Sequence, residues 1–251
     1  MRIVDAHHHL WDLEAVHYPW LMAKGVKRFF GDPAPIQKNY LVADLRRDAS
    51  DFELAASVHI QVGAQPSDEL TETAWLQRAS DTDGLPTAVV AACDLASDGV
   101  GEQLDAHAEH AALRGIRQIV GRSDEEDAQT GSGALLDEAR WQAGLTQLAD
   151  RGLSFDLQLV PAQTARAAEV MAAVPGLRVA LCHCGSPWNQ SSEGLASWRE
   201  GLKLLADNEH VFCKLSGFGM FDHTWTVDSI RPIVESCIEI FGAERCMFGS
   251  N

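Results

Sequence analysis

The chain alternates short apolar runs, rich in Val, Ile and Leu, with longer stretches whose apolar positions recur at helical spacing. Eight runs read as strands: residues 3–9, 57–62, 88–94, 115–120, 154–160, 178–183, 211–216 and 246–249. Between them, residues 135–151, 164–174, 194–208 and 227–241 carry the 3.6-residue recurrence of amphipathic helices. Ser67 and Ser192, each ahead of acidic residues, are placed to open helices, and Gly152, Gly176 and Gly242 are placed to close them in the left-handed C′ position. Strand and helix alternation predicts parallel pairing, because parallel neighbours need a crossover long enough to hold a helix.

With no Pro-, Gly- or Ser-rich linker in 251 residues, eight such units predict an α/β chain folded as one domain over 1–251, a (β/α)8 TIM barrel. An open doubly wound sheet is the alternative. Against it, the first strand runs into His7-His8-His9, with no Gly-rich phosphate loop behind it. Two features break the regular pattern. Residues 11–40 form a long non-periodic stretch with Trp11, Trp20, Phe29, Phe30 and three prolines, which reads as a loop over the top of the barrel. The eighth strand runs to the end of the sequence, so the eighth helix is absent. An uncovered parallel strand exposes an apolar face; the expectation is a further C-terminal segment, or a second subunit capping the seam in a homo-oligomer.

Composition changes the picture only by exclusion. Hydrophobic residues at 46% and charged residues at 22% are those of an ordinary folded domain. A net charge of −16 repels nucleic acid and anionic lipid, which leaves a small molecule as the expected partner. No run reaches the roughly 18 apolar residues of a membrane span, and Asp5 and three His precede any signal-like segment, so a cytoplasmic location is expected. The six cysteines match no disulfide framework and are expected to be small buried hydrophobes, with Cys182 and Cys184 facing away from His183.

Side chains alternate across a strand, so one inward residue defines its set. Asp5, His7 and His9 form one such set, with His8 turned toward the helices. His59 with Gln61, Asp156 with Gln158, and Lys214 with Ser216 form others, and Asp94, Arg117, His183 and Asn251 are taken as inward on the remaining strands. In a barrel these polar tips collect at the C-terminal rim, where active sites sit, whereas an inert barrel fills those layers with Val, Ile and Leu. An internal salt bridge can absorb Asp156 with Lys214 or Arg117, but leaves the histidines unexplained. His7 and His9, with His183, suit one divalent ion such as zinc with an open water position. Arg117 is suited to a bidentate hold on a carboxylate or lactone oxygen, and Trp188 to a pocket wall.

Several segments resemble the amidohydrolase superfamily, and within it the amidohydrolase 2 group with its pyrone dicarboxylate and sugar lactonases. They are Ile3-Val4-Asp5-Ala6-His7-His8-His9-Leu10-Trp11, Ser57-Val58-His59-Ile60-Gln61, Arg114-Gly115-Ile116-Arg117-Gln118, Leu153-Ser154-Phe155-Asp156-Leu157, His183-Cys184-Gly185, Lys214-Leu215-Ser216-Gly217 and Met247-Phe248-Gly249-Ser250-Asn251. The resemblance implies a distorted barrel that hydrolyses a cyclic ester or amide. It implies that His7, His9 and His183 bind a metal or, in the lactonase branch, contact substrate without one. The family's strand-eight Asp, the general base, is Asn251 here, and an amide cannot accept a proton at neutral pH. The expected function is a lactonase opening a small cyclic ester, with His183 or His9 as base and Arg117, Gln158, His59, Gln61 and Trp188 around the substrate. The alternatives are a metal-dependent amidohydrolase or decarboxylase, and a catalytically silent barrel that binds a small acid.

Overall fold

The computed structural model describes residues 1–251, the side chain of Asp124 apart. The eight expected strands are present: β1 (Arg2–His8), β2 (Glu53–Ile60), β3 (Ala88–Ala92), β4 (Leu113–Arg117), β5 (Ser154–Leu157), β6 (Val179–Leu181), β7 (Val211–Leu215) and β8 (Cys246–Phe248). They pair in parallel in chain order, each with its sequence neighbour, as the barrel reading requires. No ladder joins β8 back to β1. Instead the Asn251 amide donates to the His7 carbonyl (2.7 Å), and the Ser250 amide and hydroxyl donate to the Asp5 carboxylate (3.0 and 2.6 Å). Gly249 makes this approach feasible, since a Cβ there would lie 2.6 Å from His7 Cβ. The result is a nearly closed (β/α)8 barrel with its seam between the first and last strands.

The wall between barrel and helices is the main core. β3 is apolar on both faces, as expected of a strand enclosed on both sides. Trp141 from the helix Ala139–Asp150 packs edge-on against Phe155 of β5. Fully burying a side chain such as Leu145, Leu148 or Val179 contributes about 1.5–3 kcal/mol. Among the described residues no helix is long and apolar enough to cross a membrane.

Three helix boundaries differ from expectation. Residues 135–151 divide into a 3-10 turn, Ser132–Asp137, and the helix Ala139–Asp150. The helix Ser192–Ala206 is capped by Ser191, whose hydroxyl accepts from Gly194 N at 3.1 Å, one position before the expected Ser192. Ser67 caps nothing, because Pro66–Asp68 forms a separate 3-10 turn ahead of the helix Glu69–Asp83. Local hydrogen bonding of short polar side chains decides these positions, and periodicity does not register it.

Candidate active site

Residues 11–40 do lie over the C-terminal rim. The stretch is pinned at its ends by an antiparallel bridge between Trp11 and Tyr40 and carries a small apolar cluster of Val16, Tyr18 and Leu21 against Val62. Arg28 locks it down, donating twice to Glu126 (3.0 and 2.8 Å) while lying over the Trp20 ring. Beneath it is a cavity of about 550 Å³, walled by Trp20, Phe29 and Phe30 from the cover and by His9, Arg117, Gln158 and His183 from the barrel.

His9 Nδ1 donates to the Ile60 carbonyl (2.7 Å), so Nε2 carries the lone pair, and the side chain also meets that of Asn251. His183 Nδ1 shares a hydrogen bond with Ser216 Oγ (2.9 Å). His7 lies between them, its ring 5.1 Å from that of His9 and 4.6 Å from that of His183, with both of its nitrogens buried and unpartnered. The three imidazoles are therefore brought together through His7. Burial holds all three neutral: it pushes His9 down to about 3, helped by Arg117, and it pushes His7 and His183 well below the usual imidazole range, with neighbouring cations and imidazoles adding to the effect.

Arg117 enters from β4 and donates to Gln158 Oε1 (3.2 Å) and to the Gln61 carbonyl (2.7 Å), while its Nε has no partner. Lys214 and Asp156 form an ion pair in the barrel interior, each side chain at most 3% exposed. The internal salt bridge thus exists, and it leaves Arg117 available to the cavity.

Several assigned orientations are corrected. His59 and Gln61 sit behind the cavity wall: His59 Nδ1 accepts from Leu10 N (3.1 Å), and Gln61 contributes its carbonyl to Arg117. Trp188 does not line the cavity but packs edge-on against Phe29 (5.7 Å), which does. His8 is a cavity-lining residue with its ring 6.0 Å from His59, because the β1–β2 register shifts between Asp5 and His8 and strict alternation lapses there. Asp94 is exposed and accepts from Gln118 Nε2 (3.0 Å), since β3 has already ended at Ala92. Cys182 faces inward, its Sγ 3.9 Å from Asp156 Oδ2, while Cys184 faces the opposite way. Here β6 has given way to a turn in which His183, Cys184, Gly185 and Ser186 all take positive φ (54°, 54°, 69° and 57°). Such non-glycine conformations cost on the order of 1–3 kcal/mol each and persist where the surroundings over-determine them. Sequence reasoning missed Glu72, wholly buried beside the site, where burial pushes its carboxyl up to about 7. Its place in the helix Glu69–Asp83 gives no sign that it points at the barrel.

The donor set can be tested against a divalent ion. Unpartnered His7 nitrogens, the His9 Nε2 lone pair and neutral His183 are donors of the kind such an ion requires. The anionic group beside them is Asp156, which lies with Cys182 next to His7 but is held by Lys214. Among the described residues, His7 shares a group of ligand atoms within 4.8 Å of one another with Asp156 and Cys182, not with His9 and His183, so the three imidazoles would have to turn toward one another to hold an ion.

Comparison with known proteins agrees with this geometry. The chain is 40% identical over 251 residues to protein y4mH of Sinorhizobium fredii, covering 99% of this chain and 84% of that one. It is 28% identical over 260 residues to L-fucono-1,5-lactonase of Burkholderia multivorans, covering 99% and 81%. A zinc-bound amidohydrolase structure from Burkholderia multivorans superposes with a TM-score of 0.80 at 26% identity, over 100% of this chain and 84% of that one. The amidohydrolase family model (Amidohydro_2) matches residues 4–251, so barrel, inward histidines and sequence agree that this chain is a member of the amidohydrolase family.

Proposed function

We propose that the protein is a lactonase that opens a small cyclic ester. The observation that carries this reading is the meeting, in one covered cavity, of a neutral His9, a neutral His183 and the Arg117 guanidinium. Water attacks the ring carbonyl and gives its proton to His9 Nε2. His183 and Arg117 face the oxygen that gains charge, a contribution typically worth about 3 kcal/mol per donor. The intermediate collapses with cleavage of the ring C–O bond, and the proton on His9 passes to the departing alkoxide. Asn251 cannot be the base, which gives that role to an imidazole. Were a divalent ion bound, His7, His9 and His183 would be the residues to hold it and it would polarise the carbonyl; the base role given to His9 belongs to the metal-free protein.

The lining residues include Arg28 and Arg122, both paired with Glu126, Arg47, paired with Asp44 and Asp48, and two cations with no carboxylate partner among the described residues, Lys38 and Arg117. In a chain of net charge −16 this concentration favours a lactone that carries a carboxylate over a neutral sugar lactone. The test is a panel of both classes followed by acid release, before and after chelation. At least one carboxylated lactone is expected to turn over, with His9→Asn and His183→Asn each lowering kcat/KM by about 100-fold or more. Turnover that survives both substitutions sinks the assignment. Asn251 motivates a second reading, a silent barrel that binds small acids; binding across the panel without hydrolysis would establish it.

A further inference from the structure

Three thiols from separate elements converge outside the cavity, in the layer between barrel and helices. Cys184 lies in the left-handed turn after β6, Cys213 on β7 and Cys237 in the helix Val227–Phe241, and each is fully buried. Their sulfur atoms all lie within 4.8 Å of one another. A single buried cysteine is an ordinary small hydrophobe. Three sulfurs facing one point, contributed by a turn, a strand and a helix, form a ligand set.

The chemistry of that set is selective. Soft thiolates favour thiophilic ions, while hard ions such as magnesium and calcium require oxygen. A metal–sulfur bond of about 2.3 Å places sulfurs around one ion roughly 4 Å apart, so the present separation needs to contract by less than about 1 Å. The nearby Cys246 thiol is directed elsewhere, donating to the Cys237 carbonyl at 3.6 Å.

The backbone supplies an independent argument. Cys184 is the second of four consecutive residues at positive φ, and the first is His183 of the candidate active site. The hydrogen bond from Trp198 Nε1 to the Cys184 carbonyl (2.7 Å) holds that turn from the helix side. Nothing so firm holds the Cys184 side chain: its thiol makes a long contact to the Lys214 carbonyl (3.6 Å). An ion at the three sulfurs would tie the turn that presents His183 to the strand that carries Lys214 and to the outer helix.

We propose that Cys184, Cys213 and Cys237 form a binding site for a thiophilic d10 cation, distinct from the histidine site and serving to hold the His183 turn. Binding forms three metal–sulfur bonds and releases the displaced thiol protons to solvent.

The test uses the full-length reduced protein without oxygen, with cadmium(II) as the probe for zinc-like ions and copper(I) as the probe for univalent ones. One equivalent of either is expected to be retained at sulfur through dialysis, counted apart from any ion the histidines hold. Cadmium should produce a thiolate-to-metal charge-transfer band and a cadmium NMR resonance in the range of three-sulfur coordination. Cys237→Ala should lose that equivalent and the band, whereas Cys182→Ser, which removes the thiol nearest the histidines, should keep both. Should Cys237→Ala fail to fold, the NMR resonance of the unmodified protein still decides, because nitrogen and oxygen ligands place it elsewhere. Retention of neither ion at sulfur, or a band that persists without Cys237, overturns the proposal.

Discussion

Gly217 lies flat against the His183 ring: with φ +74°, a Cβ built on it would sit 2.6 Å from His183 Nδ1. That nitrogen already shares a hydrogen bond with Ser216, so the residue after β7 that orients the imidazole is followed at once by one that leaves room for it. Gly217→Ala therefore both strains the backbone and pushes the ring. The expected outcome is a loss of about 1–2 kcal/mol in stability from the left-handed conformation. A fall in kcat/KM of up to about 100-fold should accompany it, since small misplacements at the reacting centre carry that cost. Denaturant melts and steady-state kinetics on the responsive lactone measure the two effects separately.

Lys214 and Asp156 neutralise each other where neither can reach water. Removing one partner strands a buried charge, so Lys214→Met alone should destabilise by about 3–5 kcal/mol, and the double variant Lys214→Met with Asp156→Leu by clearly less. Equal losses in the single and double variants, measured by chemical denaturation, would show that packing and not charge dominates.

Stability should fall as the solution is acidified from neutral. An unfolded imidazole titrates near 6.5, whereas burial takes His9 down to about 3 and His8 and His107 to about 4, and drives His7, His59 and His183 well below the usual range. Below about pH 6.5 the unfolded chain binds protons that the folded chain refuses, so the stability present above that pH is lost as pH falls toward those lower values. Glu69 and Glu72 act in the opposite sense: burial raises both to about 7, so the folded chain keeps protons that the unfolded chain releases between about 4.5 and 7. The six imidazoles outweigh the two carboxyls. Thermal unfolding at a series of pH values should show Tm dropping between pH 6.5 and 4; a flat profile would mean that the imidazoles are not held neutral.

Arg117 lines the cavity with its terminal nitrogens held by Gln158 and the Gln61 carbonyl. Lysine keeps the charge but loses this fork. Arg117→Lys should raise KM for a carboxylated lactone about 10-fold or more with a smaller change in kcat, if its main partner is a substrate carboxylate. A drop confined to kcat would move Arg117 to the developing oxyanion.

Much of the site was legible before any coordinates, because its residues occupy strand ends in a chain whose alternation already specifies a barrel. Arg117, Gln158, His9 and His183 reach the cavity as alternation on β4, β5, β1 and β6 suggests. His59 and Gln61 obey the same alternation yet end behind the wall, the first with its Nδ1 taken by Leu10 N and the second with its side-chain Oε1 buried and unpartnered. His8, Asp94 and the Cys182–Cys184 pair defeated the pattern for one shared reason: each lies where its strand shifts register or stops, and side-chain direction there is set by turns.

The parallel topology, the order of strands and the roster of polar residues aimed at the rim follow from local rules, since strand periodicity and crossover length act over a few residues to a few tens. The cover formed by residues 11–40, the pairing of Lys214 with Asp156, the seat of His183 on Gly217 and the meeting of three thiols depend on contacts between distant segments. Such contacts satisfy polar groups and fill space in three dimensions, and no spacing along a chain encodes which of several eligible partners arrives first.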